Sequence, residues 1–163
     1  MKVEPQKEHR WLEQLVGEWT VSMPACDDGS TASSEAPSKP WSETTRMLHG
    51  VWLISEGSGE MSDGGSGTNQ LTLGYDPAKQ RYVGTWVGSM MTHLWVYEGA
   101  LDPTGKVLTL DTVGPGFEDP AKSTRYQDVI TIEDDNNRTL SSRFLAEDGT
   151  WKPVMTMHYR RKM

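Results

Sequence analysis

The sequence predicts a single all-β domain, a closed antiparallel up-and-down barrel of about ten strands with a short N-terminal helix. Three observations predict this fold. Helical spacing of apolar residues occurs only near the N-terminus. Turn signals such as Asp76-Pro77 and Glu147-Asp148-Gly149 recur between short alternating segments. A long meander without covering helices must close or form a sandwich to hide its edges, and we favour closure.

The N-terminal helix is predicted over residues 4–16 of a domain that spans residues 1–163. Pro5 suits the first turn, while Trp11, Leu12 and Leu15 fall on one helical face. Gly17 stands where a helix of this length would end. Residues 24–40 combine Ser, Pro and acidic residues, a composition that predicts a flexible loop.

The strands are predicted from alternating apolar residues between turn signals. In chain order they are Trp19–Met23, Trp41–His49, Val51–Glu60, Leu71–Tyr75, Tyr82–Val87, Met91–Leu101, Val107–Val113, Tyr126–Glu133, Thr139–Ala146 and Val154–Arg160. The glycine-rich stretch Gly57–Gly67 is predicted to form a mobile hairpin loop at the barrel mouth. It has neither the G-x-G-x-x-G pattern nor a P-loop lysine, so it does not indicate a phosphate site.

Charge and cysteine content exclude several classes of function. The formal net charge of −7 repels phosphate backbones, so nucleic acid is not an expected partner. The single cysteine, Cys26, excludes an internal disulfide, and its acidic neighbours Asp27 and Asp28 disfavour a nucleophilic thiolate. No apolar segment has the length of a signal-peptide core or a transmembrane helix. We therefore expect a cytoplasmic protein with no membrane partner.

The segment LVGEWTVS places Gly17 and Trp19 two residues apart, directly after the predicted helix. This arrangement resembles the first-strand motif of lipocalins and other calycins. The resemblance implies that Trp19 closes one end of the barrel. It also implies that a basic residue of the last strand, Arg160 or Arg161, packs across the indole ring.

A second resemblance covers nearly the whole chain. The motifs EHRWLEQLVGEW, LTLGYDP, GTWVGSMMTHLWVYEG, TLDTVGPGF, YQDVITI and MTMHYRRK occur in this order. They resemble the bacterial domain-of-unknown-function family fifteen-seventy-nine, and the segment between Met23 and Trp41 matches least well. The resemblance implies a calycin-like, lipocalin-like barrel and brings no activity with it.

The candidate site lies in GTWVGSMMTHLWVYEG. Along a strand, side chains alternate, so Met91, His93, Trp95 and Tyr97 share one face, and Trp86 lies on the preceding strand. If this face points inward, it forms an aromatic wall for a small apolar or amphipathic molecule, oriented by His93 and Tyr97. Met155, Met157 and Tyr159 on the last strand are further candidates for the lining.

The opposite register leaves two other interpretations. If Leu94 and Val96 point inward, the aromatic face is external and becomes a homodimer interface. Ordinary barrel packing is the third interpretation of the same residues. The corresponding functions are ligand binding, catalysis in the lumen with His93 as general base, and a structural, dimerising barrel with a filled core. Binding is the leading hypothesis.

Metal and cofactor chemistry has little support in the sequence. The four histidines, His9, His49, His93 and His158, form no H-x-H or H-x-x-x-H pair, so no metal site is predicted. No cofactor is predicted either. Haem held by His93 or His158 is an alternative by analogy with the nitrobindins, a calycin-like group. Among the strand carboxylates, Asp128 is expected either in the lumen or paired with an arginine.

Overall fold

The computed structural model describes residues 1–23 and 39–163 and confirms the predicted fold class. Ten antiparallel strands form a closed barrel in which each strand pairs with the next and β1 also pairs with β10. The strands are β1 Gly17–Ser22, β2 Trp41–Leu48, β3 Trp52–Glu60, β4 Ser66–Asp76, β5 Arg81–Gly88, β6 Trp95–Leu101, β7 Val107–Pro115, β8 Ser123–Asp134, β9 Asn137–Leu145 and β10 Trp151–Arg161. Of the loop predicted over residues 24–40, residues 24–38 lie outside the described part.

The N-terminal helix is shorter than the sequence predicts. The helix α1 spans Lys7–Leu12, and a single 3₁₀ turn, Glu13–Leu15, continues it to the first strand. The start is set by Gln6, whose backbone N–H donates to His9 Nδ1 over 2.9 Å instead of continuing a helix. In the described ranges, no helix is long and apolar enough to cross a membrane.

The helix covers one end of the barrel, which we call the closed end. Leu12 and Leu15 are almost fully buried and belong to the same core cluster as Leu53 and Leu73. Two hydrogen bonds fix α1 to the strands: Trp11 Nε1 donates to a turn carbonyl over 2.6 Å, and a tyrosine of β5 donates to a helix carbonyl over 2.9 Å. The opposite end, where β2 begins and β5 ends, is the mouth.

The glycine-rich stretch Gly57–Gly67 forms the predicted hairpin at the mouth, but its loop is shorter than predicted. Strand β3 extends to Glu60 and β4 begins at Ser66, so only a short turn remains. The reason is tertiary, because a Cβ on Gly59 would lie 2.3 Å from Cγ of Trp41. Glycine is therefore needed inside the strand to let the indole ring pack against the backbone.

The strand predicted over Met91–Leu101 begins four residues later, at Trp95. Side-chain hydrogen bonds replace strand pairing in the preceding segment. Trp95 Nε1 donates to Met91 Sδ over 3.0 Å, and His93 Nε2 lies 3.2 Å from the carbonyl oxygen of Val113. Since a carbonyl can only accept, the imidazole is the donor in this bond.

Candidate functional site

The register places the aromatic face inside the barrel. Trp86 is the partner of Trp95 across β5 and β6, and Tyr97 is 5% exposed. Leu94 and Val96, by contrast, are 52% and 59% exposed on the outer surface. The aromatic face is therefore not the external surface that the homodimer interpretation assumed, and dimerisation stays a prediction.

Five large side chains line the lumen near the mouth, and we call them the mouth wall: Trp41, Trp86, Trp95, Met155 and Met157. Met155 is the most informative of them. It faces Ser142 across β9 and β10, on the lumenal side, and is nevertheless 39% exposed. Met155 therefore keeps apolar surface open to solvent at the mouth.

Glycines set the orientation of the three indole rings in the mouth wall. A Cβ on Gly114 would lie 2.2 Å from the Trp95 ring, and one on Gly88 would lie 2.5 Å from the Trp86 ring. Trp41 covers Gly59 in the same way. The rings therefore lie flat along the wall instead of crossing the lumen. A ten-stranded barrel is wider than the eight-stranded type, whose interior is just wide enough for side chains or one small ligand.

A buried polar pair lies below the mouth wall. The Tyr97 hydroxyl donates a hydrogen bond to Asp128 Oδ2, and Ser142 also bonds this carboxyl group. Burial raises the pKa of Asp128 above its ordinary value, although the hydrogen bonds from Ser142 and Tyr97 work in the opposite direction. Burial, with the nearby carboxylate, also raises the pKa of Tyr97 well above its usual range. The two side chains thus form a polar site in a largely apolar region. Burial favours the uncharged form of each of them.

The raised pKa of Asp128 makes the effect of Asp128→Asn depend on pH. At a pH below the pKa of an unfolded aspartate, both folded and unfolded states carry the neutral acid. As pH rises through the higher folded pKa, the wild type loses stability, whereas the uncharged asparagine does not. We expect the difference in unfolding free energy to shift in favour of the variant as pH rises from 3 to 7. Urea denaturation across this range measures it, and a pH-independent difference would contradict the prediction.

Towards the closed end, the lumen holds a second polar cluster around a buried ion pair. Arg138 Nη2 lies 3.2 Å from Glu43 Oε1, and both side chains are more than nine-tenths buried. Ser55 also donates to Glu43, and Thr45 Oγ1 lies 2.8 Å from Ser55 Oγ. Tyr159, predicted as a ligand contact, is buried in this cluster, where burial is the first cause of its raised pKa.

The Gly17 and Trp19 motif lies beside this cluster. Trp19 is 1% exposed, and the guanidinium carbons of Arg138 and Arg161 lie 4.6 Å and 4.3 Å from its ring centroid. Arg161 thus packs across the indole ring, while Arg160 is exposed. A Cβ on Gly17 would collide with the Arg161 guanidinium, so glycine is required for this arrangement.

The two histidines considered for haem lie in different surroundings. His158 pairs with Thr139 on the outer side of the barrel and is exposed. His93 Nε2 already donates to the carbonyl of Val113, and its ring contacts Trp95 edge-on at 4.6 Å. Within the described ranges, no cluster of three or more His, Cys, Asp or Glu residues is placed to hold a metal ion.

The structure brings together part of the predicted site and adds residues to it. Trp86, Trp95, Tyr97, Met155 and Met157 face the lumen, whereas Met91 is 43% exposed in the connection before β6. Sequence reasoning missed the lumenal residues Trp41, Glu43, Thr112, Arg138 and Ser142. The alternation of Trp41, Glu43 and Thr45 in β2 was the available signal, but polar residues on a strand usually indicate the solvent side.

Fold and site together define a class of protein, a ten-stranded antiparallel β-barrel with an aromatic-lined mouth and buried polar groups. The chain belongs to the family described as protein of unknown function (DUF1579), whose model matches residues 4–161. Among solved structures, a redesigned β-barrel is similar, with 14% identity, a TM-score of 0.48, and coverage of 94% of this chain and 96% of that chain. No curated protein matches the chain.

Proposed function

We propose that this protein binds a small apolar or amphipathic molecule in the mouth half of the barrel lumen. The observation that carries the proposal is the mouth wall. Its tryptophans and methionines point inward but keep part of their surface exposed, with Met155 at 39%. Apolar surface of this kind gains free energy when a ligand covers it.

The composition of the wall favours a ligand with an apolar part and few polar groups. Three indole rings offer large, rigid contact surfaces, and the methionines adapt their shape to different ligands. Tyr97 and Asp128 supply polar groups deeper in the lumen, where they orient a polar end of the ligand. The role that the sequence analysis gave to His93 passes to this pair, since His93 is engaged with the backbone of β7.

The proposal predicts that Trp86→Ala weakens the binding of decan-1-ol, a probe with a ten-carbon tail, by about tenfold. A tenfold change in the dissociation constant corresponds to only about 1.4 kcal/mol of binding free energy, and the indole ring supplies at least that much apolar contact. Isothermal titration calorimetry measures the dissociation constant. Trp151→Ala is the matched control, because Trp151 lies at the outer surface and is 38% exposed. Circular dichroism verifies that both variants are folded.

Native mass spectrometry of freshly purified protein provides an independent test without a chosen probe. A stoichiometric additional mass supports the proposal and gives the molecular mass of the ligand. Absence of decan-1-ol binding to the wild type, together with a clean apo mass, would contradict it. Equal effects of the two tryptophan variants would place the binding site outside the mouth wall.

A second candidate function is acid–base catalysis in the same lumen. The specific observation is the buried Asp128, whose pKa is raised and whose carboxyl group is hydrogen-bonded by Tyr97. Asp128, in place of His93, is then the candidate proton-transfer group. Turnover of a bound molecule by the wild type, and its loss in Asp128→Asn with binding retained, would distinguish an enzyme from a binding protein.

A further inference from the structure

Asp128 is an inward-facing carboxylic acid in the middle of the barrel. It lies on β8 two positions deeper than Tyr126, and its partners on β7 and β9 are Leu110 and Ser142. Because side chains alternate along a strand, Tyr126, Asp128 and Ile130 share the lumenal face. Ile130 is fully buried, whereas Asp128 keeps part of its surface accessible. Asp128 is therefore a lumenal residue that is not sealed off from solvent.

Asp128 forms no ion pair with residues 1–23 or 39–163. The ion pairs within these ranges are Lys39 with Glu60, Lys122 with Glu147, and Arg138 with Glu43. Residues 24–38 contain no lysine, arginine or histidine, so they cannot supply a cationic side chain either. The lumenal cation Arg138 is thus engaged with Glu43, and an ionised Asp128 has no opposite charge beside it.

The groups that bond Asp128 are neutral hydroxyls, those of Tyr97 and Ser142. They stabilise the ionised form, but burial is the larger effect and raises the pKa of Asp128. The carboxylate has therefore lost much of its hydration before any ligand arrives. A cationic group that reaches it gains the attraction between the two charges and gives up mainly its own hydration.

Aromatic side chains lie between the mouth and Asp128. Trp95 precedes Tyr97 by two positions on β6, and its ring lies edge-on to that of Tyr126, with 5.1 Å between the centroids. Trp95 is thus one layer nearer the mouth than Asp128. Trp86, its partner on β5, adds a second indole ring to this layer. The faces of indole rings attract cations, so these side chains favour a positively charged group.

An organic cation suits these surroundings better than a metal ion or an anion. A metal ion needs several oxygen, nitrogen or sulfur ligands, and residues 1–23 and 39–163 hold no cluster of three or more His, Cys, Asp or Glu side chains. An anion meets repulsion from Asp128 and from the net charge of −7. The alkyl part of an organic cation, by contrast, gains apolar contact with the mouth wall.

We propose that the lumen binds an amphipathic organic cation, whose ammonium group pairs with the Asp128 carboxylate beside Trp95 and whose apolar part lies along the mouth wall. This inference rests on the proposed function and names the chemical class of its ligand. A primary alkylammonium ion meets both requirements, because it donates hydrogen bonds to the carboxylate and carries an apolar chain.

The first part of the test compares three probes that share a ten-carbon chain: decylammonium, decan-1-ol and decanoate. We expect decylammonium to bind at least about tenfold more tightly than decan-1-ol, because hydrogen bonds between charged groups are roughly twice as strong as neutral ones and the indole rings add attraction. Decanoate is expected to bind most weakly. Isothermal titration calorimetry at pH 7, below the critical micelle concentration of each probe, gives the three dissociation constants.

The second part uses Asp128→Asn, which keeps the shape of the side chain and removes its charge. We expect about tenfold weaker binding of decylammonium, with a change of less than about threefold for decan-1-ol. Asp111→Asn is the matched control, because Asp111 is exposed on the outer side of β7 and its substitution changes the net charge equally. Circular dichroism verifies that both variants are folded.

The outcomes separate this inference from the proposed function. Tighter binding of decylammonium that is lost in Asp128→Asn and kept in Asp111→Asn supports both. If decan-1-ol binds as tightly as decylammonium, or if the two variants have equal effects, the ammonium site is overturned and lumenal binding stays in place. Absence of binding by all three probes overturns the proposed function and this inference together.

Discussion

Arg138→Met is expected to lower the free energy of unfolding by about 3–5 kcal/mol, the cost typical of removing one partner of a buried ion pair. Arg138 is the cation next to Glu43, and its guanidinium carbon also lies 3.9 Å from the Tyr159 ring centroid. Methionine fills much of the same volume but leaves the Glu43 carboxylate buried without its counter-charge. The hydroxyls of Ser55 and Thr45 do not replace a positive charge.

Urea denaturation at pH 7 measures this loss, and Arg143→Met provides the control. Arg143 lies on the same strand, but it is exposed and bonds Gln127 and contacts Trp151 on the outer surface. Solvent screens such contacts, so we expect this control to cost no more than about 1 kcal/mol. If both arginine variants lost the same stability, the buried cluster would not be a major source of stability in this barrel.

Leu12→Ala is expected to cost about 2–5 kcal/mol, the range found when a leucine in a well-packed core is shortened. Leu12 is fully buried where α1 closes the barrel, in one cluster with Leu53, Leu73 and Ile130. The alanine leaves a cavity between helix and strands, and the strands cannot close over it because their hydrogen-bonded ladder fixes the barrel diameter. Because this cavity lies at the closed end, the mouth wall stays intact.

Leu94→Ala is the matched control for Leu12→Ala. Leu94 is 52% exposed, so its shortening removes little buried surface, and we expect a change within about 0.5 kcal/mol. Thermal unfolding followed by circular dichroism ranks the two variants. A small effect of Leu12→Ala would mean that α1 is not an integral part of the core. Unchanged decan-1-ol affinity in folded Leu12→Ala would agree with a ligand site at the opposite end.

The architecture could be predicted because its signals are local. A turn such as Asp102–Gly105 is encoded by residues adjacent in the chain, and Asp102 indeed accepts hydrogen bonds from the turn itself. The position of the helix before Gly17 and Trp19 is equally local. A chain with one helix and many short strands has few ways to bury its apolar faces, so a closed barrel or a sandwich is expected, and we favoured the barrel.

The candidate site could be predicted only in part, because its residues come from strands that are distant in sequence. The sequence brought Trp86, Trp95 and Tyr97 together, since one hairpin carries all three. The polar partners of this site could not be recognised in the same way. Asp128 was expected either in the lumen or paired with an arginine, and Thr112 looks like an ordinary solvent-facing residue until the barrel places it inside.

By itself, the sequence determined the class of this protein: an all-β barrel with about ten strands, a short helix before Trp19, and an aromatic segment carried by one hairpin. Only the tertiary structure decided which face of that segment points inward, since a shift of one residue in register exchanges the two faces. It alone showed that the β6–β7 ladder ends at Glu98 and Asp111, because the end of a ladder depends on how two strands diverge in space. Local residue chemistry specifies turns and helix ends, whereas closure of the barrel sets the register and hence the lumen.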